Sequence, residues 1–379
     1  MIACTQMPLV RPDITTQHGV QGDVPVAVRS VLVKLALRER IPSTELGEAF
    51  AACLELPVPV RDVVMGSVMT AVMLTGPDVD AVETLLRIAL SLDGLAAEQI
   101  PHEGINRPII VLAGSGKKGE RTLNVSTPAA LLAAAAGAAV VKVGSTATSS
   151  ALGSRDLMRS LGIIEDESTT EVQRSLQTCG FSFVAIEPRI PQLDQVYGSR
   201  FYAPNPFSFG LAALVSPVRG DLMLFGLAHP RVDVSAQVLY RFGLDNVDVI
   251  STRTAAGRYI DELGPAGQVL LARVDRGILS DAQAMPALSF TRRGFDEHLL
   301  PAPEDADTAV ERTLDLLAGN GLASHRRVVT LNAGYLLTRS RITATLPDGI
   351  DLAEEVLRSG AVSDLVRLLG SVDRQEQTA

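Results

Sequence analysis

Residues 114–127 read GSGKKGERTLNVST, and their reading decides the fold. The apolar run IIVLA (109–113) precedes them, and PAALLAAAAG (128–137) follows. A short apolar run bounded by glycine reads as a buried strand; the alanine-rich stretch reads as a helix. Thr127 suits the N-cap, Pro128 the first helical position and Gly137 the helix end. Gly114 and Gly116 let a backbone approach a ligand closely. A strand, a glycine turn with Lys117 and Lys118, and the open N–H groups of a helix start together make an anion site. The same residues also fit a plain connecting turn with solvated lysines. The loop is no Walker A motif, because Glu120 and Arg121 follow Gly119 where that motif needs Lys and Ser/Thr; nor is it a dinucleotide fingerprint.

The next segment, KVGSTATSSALGSRD (142–156), leaves a second apolar run and brings Lys142, Gly144, Ser149, Ser150, Gly153 and Ser154. Open α/β sheets present ligand groups at the carboxyl ends of their strands. Two such loops suit two phosphate groups of one ligand.

Outward from this core the chain divides. Residues 1–25 are expected to form a loose tail. Helical periodicity runs through VRSVLVKLALRER, PSTELGEAF (opening at Ser43), VRDVVMGSVMTAVML (stopped by Gly76-Pro77) and VDAVETLLRIALSLDG. From Arg107 short runs (IIVLAG, AAVVKVG, DLMLFGLA, NVDVIS, QVLLARV) alternate with helices, the pattern of a parallel sheet. Beyond Asp305 the chain is helical again. The expected fold is therefore α/β: a small all-helical N-terminal domain plus a larger α/β domain with a mostly parallel central sheet. We place the helical domain at 26–94 with roughly 165–180, and the α/β domain at 105–164 and 181–372.

Composition narrows the function. The 379 residues are 46% hydrophobic with net charge −9, against a general nucleic-acid binder. The three cysteines and five histidines show no metal spacing. No signal peptide or spanning segment is expected, LLAAAAGAAVV coming nearest, so a cytoplasmic protein without a membrane partner is expected.

GSGKKGERTLNVST, the small-residue helix after it, KVGSTATSSALGSRD and LMRSLGI resemble the anthranilate phosphoribosyltransferases and the related pyrimidine nucleoside phosphorylases. Those enzymes carry GTGGD, a TFNIST-like run, KHGN, SS and GSxD at these places. FGLAHPRV, LNAGYLL (331–337) and RSGAVSDL (358–365) extend the resemblance over nearly the whole chain. It implies that Gly114, Ser115, Gly116, Asn124, Ser126, Thr127, Lys142 and Ser149 hold phosphoribosyl pyrophosphate. It also implies that Asp261 and Glu262, in RYIDELGP, bind Mg2+ together with Ser126. A loop Asp-Glu pair read alone is more often simply solvated. A homodimer through the helical domain is implied too.

The departures bear on the acceptor. Lys117 and Lys118 replace Gly and Asp, and are expected to neutralise pyrophosphate and assist its departure. Val143 and Ser145, flanking Gly144, replace the His and Asn that face anthranilate. Allowing a two-residue insertion, Arg200 aligns with a later family arginine, while Asp194 falls on the arginine that holds the anthranilate carboxylate. Glu187 lies close by. Asp194 or Glu187 is expected to attract an amine, or to act as a base. The expectation is transfer to a small polar amine such as an aminocyclitol, in antibiotic biosynthesis. The alternatives are a true anthranilate enzyme, a non-catalytic nucleic-acid-binding paralogue and a nucleoside phosphorylase.

Overall fold

The computed structural model describes residues 24–117, 122–147, 151–290 and 302–376. Lys118, Ser149 and nearly all of the expected N-terminal tail lie outside the described residues.

Helices α1 (Val26–Ala36), α2 (Ser43–Leu54), α3 (Val58–Thr75) and α4 (Val79–Ser91) form the expected helical unit around Phe50, Met65, Met69 and Leu85. Gly76, with a positive φ of 99°, ends α3. Among the described residues this helix, not LLAAAAGAAVV, is the one long and apolar enough to match a membrane span. Its Met65, Val68 and Met69 pack into the helical core, while Val63 and Leu74 are exposed.

The α/β unit is built on β1 (Ile109–Gly114), β2 (Ala139–Gly144), β3 (Phe181–Ala185), β4 (Leu222–Gly226), β5 (Val247–Arg253) and β6 (Gln268–Asp275). Five strands run parallel in the order β5-β4-β1-β2-β3, and β6 pairs antiparallel with β5. Strand β3 is the one large strand not expected from sequence. Alternate residues enter opposite cores, as a period of two requires. Ile109, Val111 and Ala113 face the core shared with the helical unit; Ile110 and Leu112 face the other.

That second core holds α5 (Ser126–Ala135), which packs beneath the long C-terminal helix Ala323–Arg339 and is buried almost all round. This explains alanines without an amphipathic stripe. Helix α5 starts earlier than expected. Thr127 lies inside its first turn, and the Asn124 side chain accepts the Thr127 N–H at 3.2 Å. Segment 165–180, expected with the helical unit, contributes α7 (Thr169–Cys179), which follows α6 (Ser154–Ser160) and packs against β3 and β2.

Candidate active site at the strand ends

Glycines close three neighbouring strands: Gly144 on β2, Gly114 on β1 and Gly226 on β4. A side chain at any of them would collide. An added Cβ would come within 2.5 Å of Ser154 Cβ at Gly144, and within 2.0 Å of the Asp261 carbonyl at Gly226. The strand ends therefore let two other segments lie directly on them. The cleft they form encloses about 220 Å³.

The first wall is the 114–117 loop. Ser115 donates its N–H to Gly226 O at 2.8 Å, and its hydroxyl accepts from Ala228 N at 2.9 Å. Gly116 donates its N–H to Asp261 Oδ2 at 3.1 Å. The turn carrying Asp261 and Glu262 is clamped twice. Thr252 Oγ1 donates to Glu262 O at 2.6 Å and accepts from Gly264 N at 2.9 Å. Asn332 accepts from Leu263 N at 3.1 Å and donates to Leu263 O at 2.9 Å. Asn332 stands in the quoted LNAGYLL, but nothing in that stretch marked it as a clamp. Ser126, Asp261 and Glu262 all line the cleft, and among the described residues no group of three or more His, Cys, Asp or Glu forms a protein-only metal site. Thr127 is fully buried behind the wall, its hydroxyl bonded to Ser154 Oγ at 3.1 Å, with Asn124 Nδ2 on the same oxygen at 3.4 Å.

The second wall is the 142–147 loop. Lys142 is buried, its ammonium donating to Val143 O at 2.5 Å. Val143 lines the cleft but is almost wholly buried. Gly144 and Ser145 line it as well. Asp156 accepts from Ala147 N and Gly153 N at 2.7 and 3.0 Å, closing the loop. Glu187 lines the cleft, but its carboxylate is occupied: it accepts from Thr146 N at 2.6 Å and Thr146 Oγ1 at 2.7 Å, and pairs with Arg155.

The third wall is α8 (Pro191–Tyr197) and the residues after it. Asp194 faces the cleft half-buried, and its carboxylate accepts no hydrogen bond among the described residues. Burial, and then the charge of Glu187, hold that carboxyl above the usual range. Tyr197 stacks on Phe201 and meets Phe207 edge-on, at centroid distances of 5.3 and 5.0 Å. Arg200 does not line the cleft. It pairs with Asp62 of α3 at 3.3 Å and donates to Gly198 O at 2.9 Å.

Lys117 joins the first wall to the third. It takes a positive φ of 54°, is only 7% exposed, and sets its amine 4.1 Å above the centre of the Tyr197 ring, hydrogen-bonded to the Tyr197 hydroxyl. Burial pulls its pKa down to about 7. The expected contact was with pyrophosphate; here the side chain crosses to the opposite wall.

The family described as "Glycosyl transferase family, a/b domain" matches residues 106–363, which hold every wall of this cleft. The chain belongs to this family. Its anthranilate phosphoribosyltransferase-like branch is marked by curated relatives. The anthranilate phosphoribosyltransferase of Laribacter hongkongensis is 31% identical over 67% of this chain and 73% of its own length. That of Shewanella sp. (strain ANA-3) is 29% identical over 84% and 89%. Among solved structures, the Thermus thermophilus enzyme of that name superposes with a TM-score of 0.67 at 24% identity, over 90% of this chain and 98% of its own. The Saccharomyces cerevisiae enzyme in complex with phosphoribosyl pyrophosphate and Mg gives 0.67 at 19% identity, over 90% and 96%. The chain is thus a transferase of the pentosyl class on the anthranilate phosphoribosyltransferase fold.

Proposed function

We propose that the protein transfers the 5-phosphoribosyl group of phosphoribosyl pyrophosphate to an amine-bearing polar acceptor, releasing pyrophosphate. The backbone of Gly114, Ser115 and Gly116, with Asn124 and Ser126, would cradle the diphosphate, and Lys142 would set the field of the second loop. Asp261, Glu262 and Ser126 form a hard-oxygen set suited to Mg2+ beside phosphate oxygens. When bound there, the ion offsets the charge of the departing pyrophosphate. Displacement at the anomeric carbon needs orientation and leaving-group stabilisation more than covalent help.

The observation that carries the acceptor reading is Asp194, a cleft-facing carboxylate with no hydrogen-bond donor among the described residues. It favours a cationic or hydrogen-bond-donating amine and rejects a carboxylate. A second reading, anthranilate itself, has the names of the relatives behind it, and the Lys117 amine on the same side of the cleft would be its carboxylate partner. The net charge of −9 speaks against a nucleic-acid-binding paralogue. The exposed Val26 and Val33 on α1, with Val63 and Leu74 on α3, support a homodimer through the helical unit.

The test is incubation with phosphoribosyl pyrophosphate, Mg2+ and a panel holding anthranilate, simple aromatic amines and aminocyclitols, read as pyrophosphate release and mass gain. Turnover of amines that lack a carboxylate, reacting through an uncharged nitrogen, is expected in preference to anthranilate. Preference for anthranilate overturns the acceptor reading; no turnover of the donor with any acceptor overturns the transferase reading.

A further inference from the structure

We propose that the Lys117 amine is the base that takes the proton from the acceptor nitrogen as it bonds to the anomeric carbon. The proposal rests on the transferase reading above.

The chain's only lysines are Lys34, Lys117, Lys118 and Lys142. Lys34 is paired with Glu45 in the helical unit. Lys117 is treated differently. Its backbone takes a left-handed conformation that is costly for a non-glycine residue, and such strain gathers at functional sites. The strain carries the amine across the cleft to Tyr197 instead of out to water. The titratable groups that line the same cleft are Tyr197 and Asp194 from α8, Lys142 from the second loop, Glu187 from the turn after β3, and Asp261 and Glu262 from the clamped turn. No carboxylate among the described residues comes within ion-pair distance of the amine, so they offer a buried ammonium no counter-ion. The ring of Tyr197 attracts a cation, but by less than the desolvation of an unpaired charge costs. The balance favours the free amine near neutrality, matching its lowered pKa. A base works best when its pKa lies near the working pH. Glu187 is less suited, because Thr146 and Arg155 occupy it.

The step balances. The acceptor nitrogen lone pair forms the bond to the anomeric carbon. The bond from that carbon to the pyrophosphate oxygen breaks, and its electrons leave with pyrophosphate. The proton of the new N–H passes to the lone pair of Lys117 Nζ, and the resulting ammonium returns it to water when product leaves. Tyr197 receives a hydrogen bond from the amine and fixes its direction. Asn205 Nδ2 in turn donates to the Tyr197 hydroxyl at 3.3 Å.

Two measurements on the full chain decide. The first is competitive acylation from pH 5.5 to 9.5, with each lysine peptide quantified by mass. Lys117 is expected to label with a midpoint near pH 7. The second is the pH profile of kcat with saturating donor and acceptor. Activity of the wild type should fall below pH 7, as the base becomes protonated. Lys117→Met should lose roughly a hundredfold to ten-thousandfold in kcat with little change in donor KM. Lys117→Arg should lose as much, and ethylamine should partly rescue Lys117→Ala. A labelling midpoint above pH 9, or Lys117→Met with wild-type kcat, overturns the proposal. A wild-type chain that labels near pH 7 yet transfers nothing overturns the transferase reading, and the base with it.

Discussion

Gly226→Ala adds one methyl group where the structure leaves no room. The new Cβ would stand 2.0 Å from the Asp261 carbonyl oxygen, 3.0 Å from its carbon and 3.1 Å from its Cβ. Non-bonded carbon contacts settle at about 3.5–4.0 Å, so the 261–262 turn must retreat by roughly 1–1.5 Å. It cannot yield by rotating a side chain, because the clash is with backbone that Thr252 and Asn332 hold on its far side. Overpacking of this kind costs about 1–3 kcal/mol, which lowers the melting temperature by a few degrees. The functional cost is larger: a displacement of about 1 Å in a positioning group costs on the order of a hundredfold in rate. Steady-state kinetics with phosphoribosyl pyrophosphate, titrated with Mg2+, should therefore show about a hundredfold loss in kcat/KM and a higher Mg2+ requirement. Gly114→Ala meets only the movable end of the Asp261 side chain, at 2.9 Å, and should cost less. Gly226→Ala with wild-type Mg2+ dependence and melting temperature would refute the argument that this turn lies on the strand end to bind the donor.

Asp194→Asn should raise the acceptor KM roughly tenfold to a hundredfold, the value of a charged hydrogen bond, with little change in donor KM; equal changes in both would remove Asp194 from the acceptor wall. Lys117→Met should stabilise the fold most at low pH. The unfolded lysine keeps its proton up to about pH 10.5, whereas the folded amine loses it near 7, so the unfolded state binds more protons between these values and wild-type stability rises with pH across that window. The advantage of the variant should be greatest below pH 7 and shrink towards pH 10 in denaturant melts; a pH-independent difference would show that Lys117 titrates alike in both states.

The glycine-loop wall of the cleft was legible because its groups are contiguous. Glycine, serine, asparagine and threonine follow directly on an apolar run, and a strand end followed by a helix start fixes where they point. The clamp on Asp261 and Glu262 was not legible. Asn332 lies 69 residues from Leu263, and a lone asparagine in an apolar helix gives no local sign of the turn it holds. The direction of Lys117 was hidden too. Two adjacent lysines look alike in sequence, and only the positive φ and an aromatic ring 80 residues away separate one from a solvated turn. Arg200 was assigned through an alignment gap, and its partner Asp62 belongs to a helix that no strand-end motif reports. Strand β3 escaped because FSFVA is short and lies directly after a helix-ending glycine, with no alternation to reveal it.

The two halves of the cleft are held by different bodies. Gly114, Gly144 and Gly226 end strands of one hydrogen-bonded sheet, so the groups around the donor move as a unit. The acceptor wall is fastened elsewhere. Asp93, just after α4, accepts from Gln192 N and Leu193 N at 2.8 and 3.0 Å, and Arg200 is tied to Asp62 of α3. Asp194 and Tyr197 therefore take their positions from the helical unit as much as from the sheet. Apart from Tyr197, which takes the Lys117 hydrogen bond, the side chains of α8 share no hydrogen bond with the 114–117 loop among the described residues. That separation is consistent with this chain sharing its donor motifs with anthranilate phosphoribosyltransferases while carrying a carboxylate at the acceptor wall. Lys117 leaves the donor loop and ends on Tyr197 of the acceptor wall. That contact ties the glycine loop to the wall fastened by the helical unit.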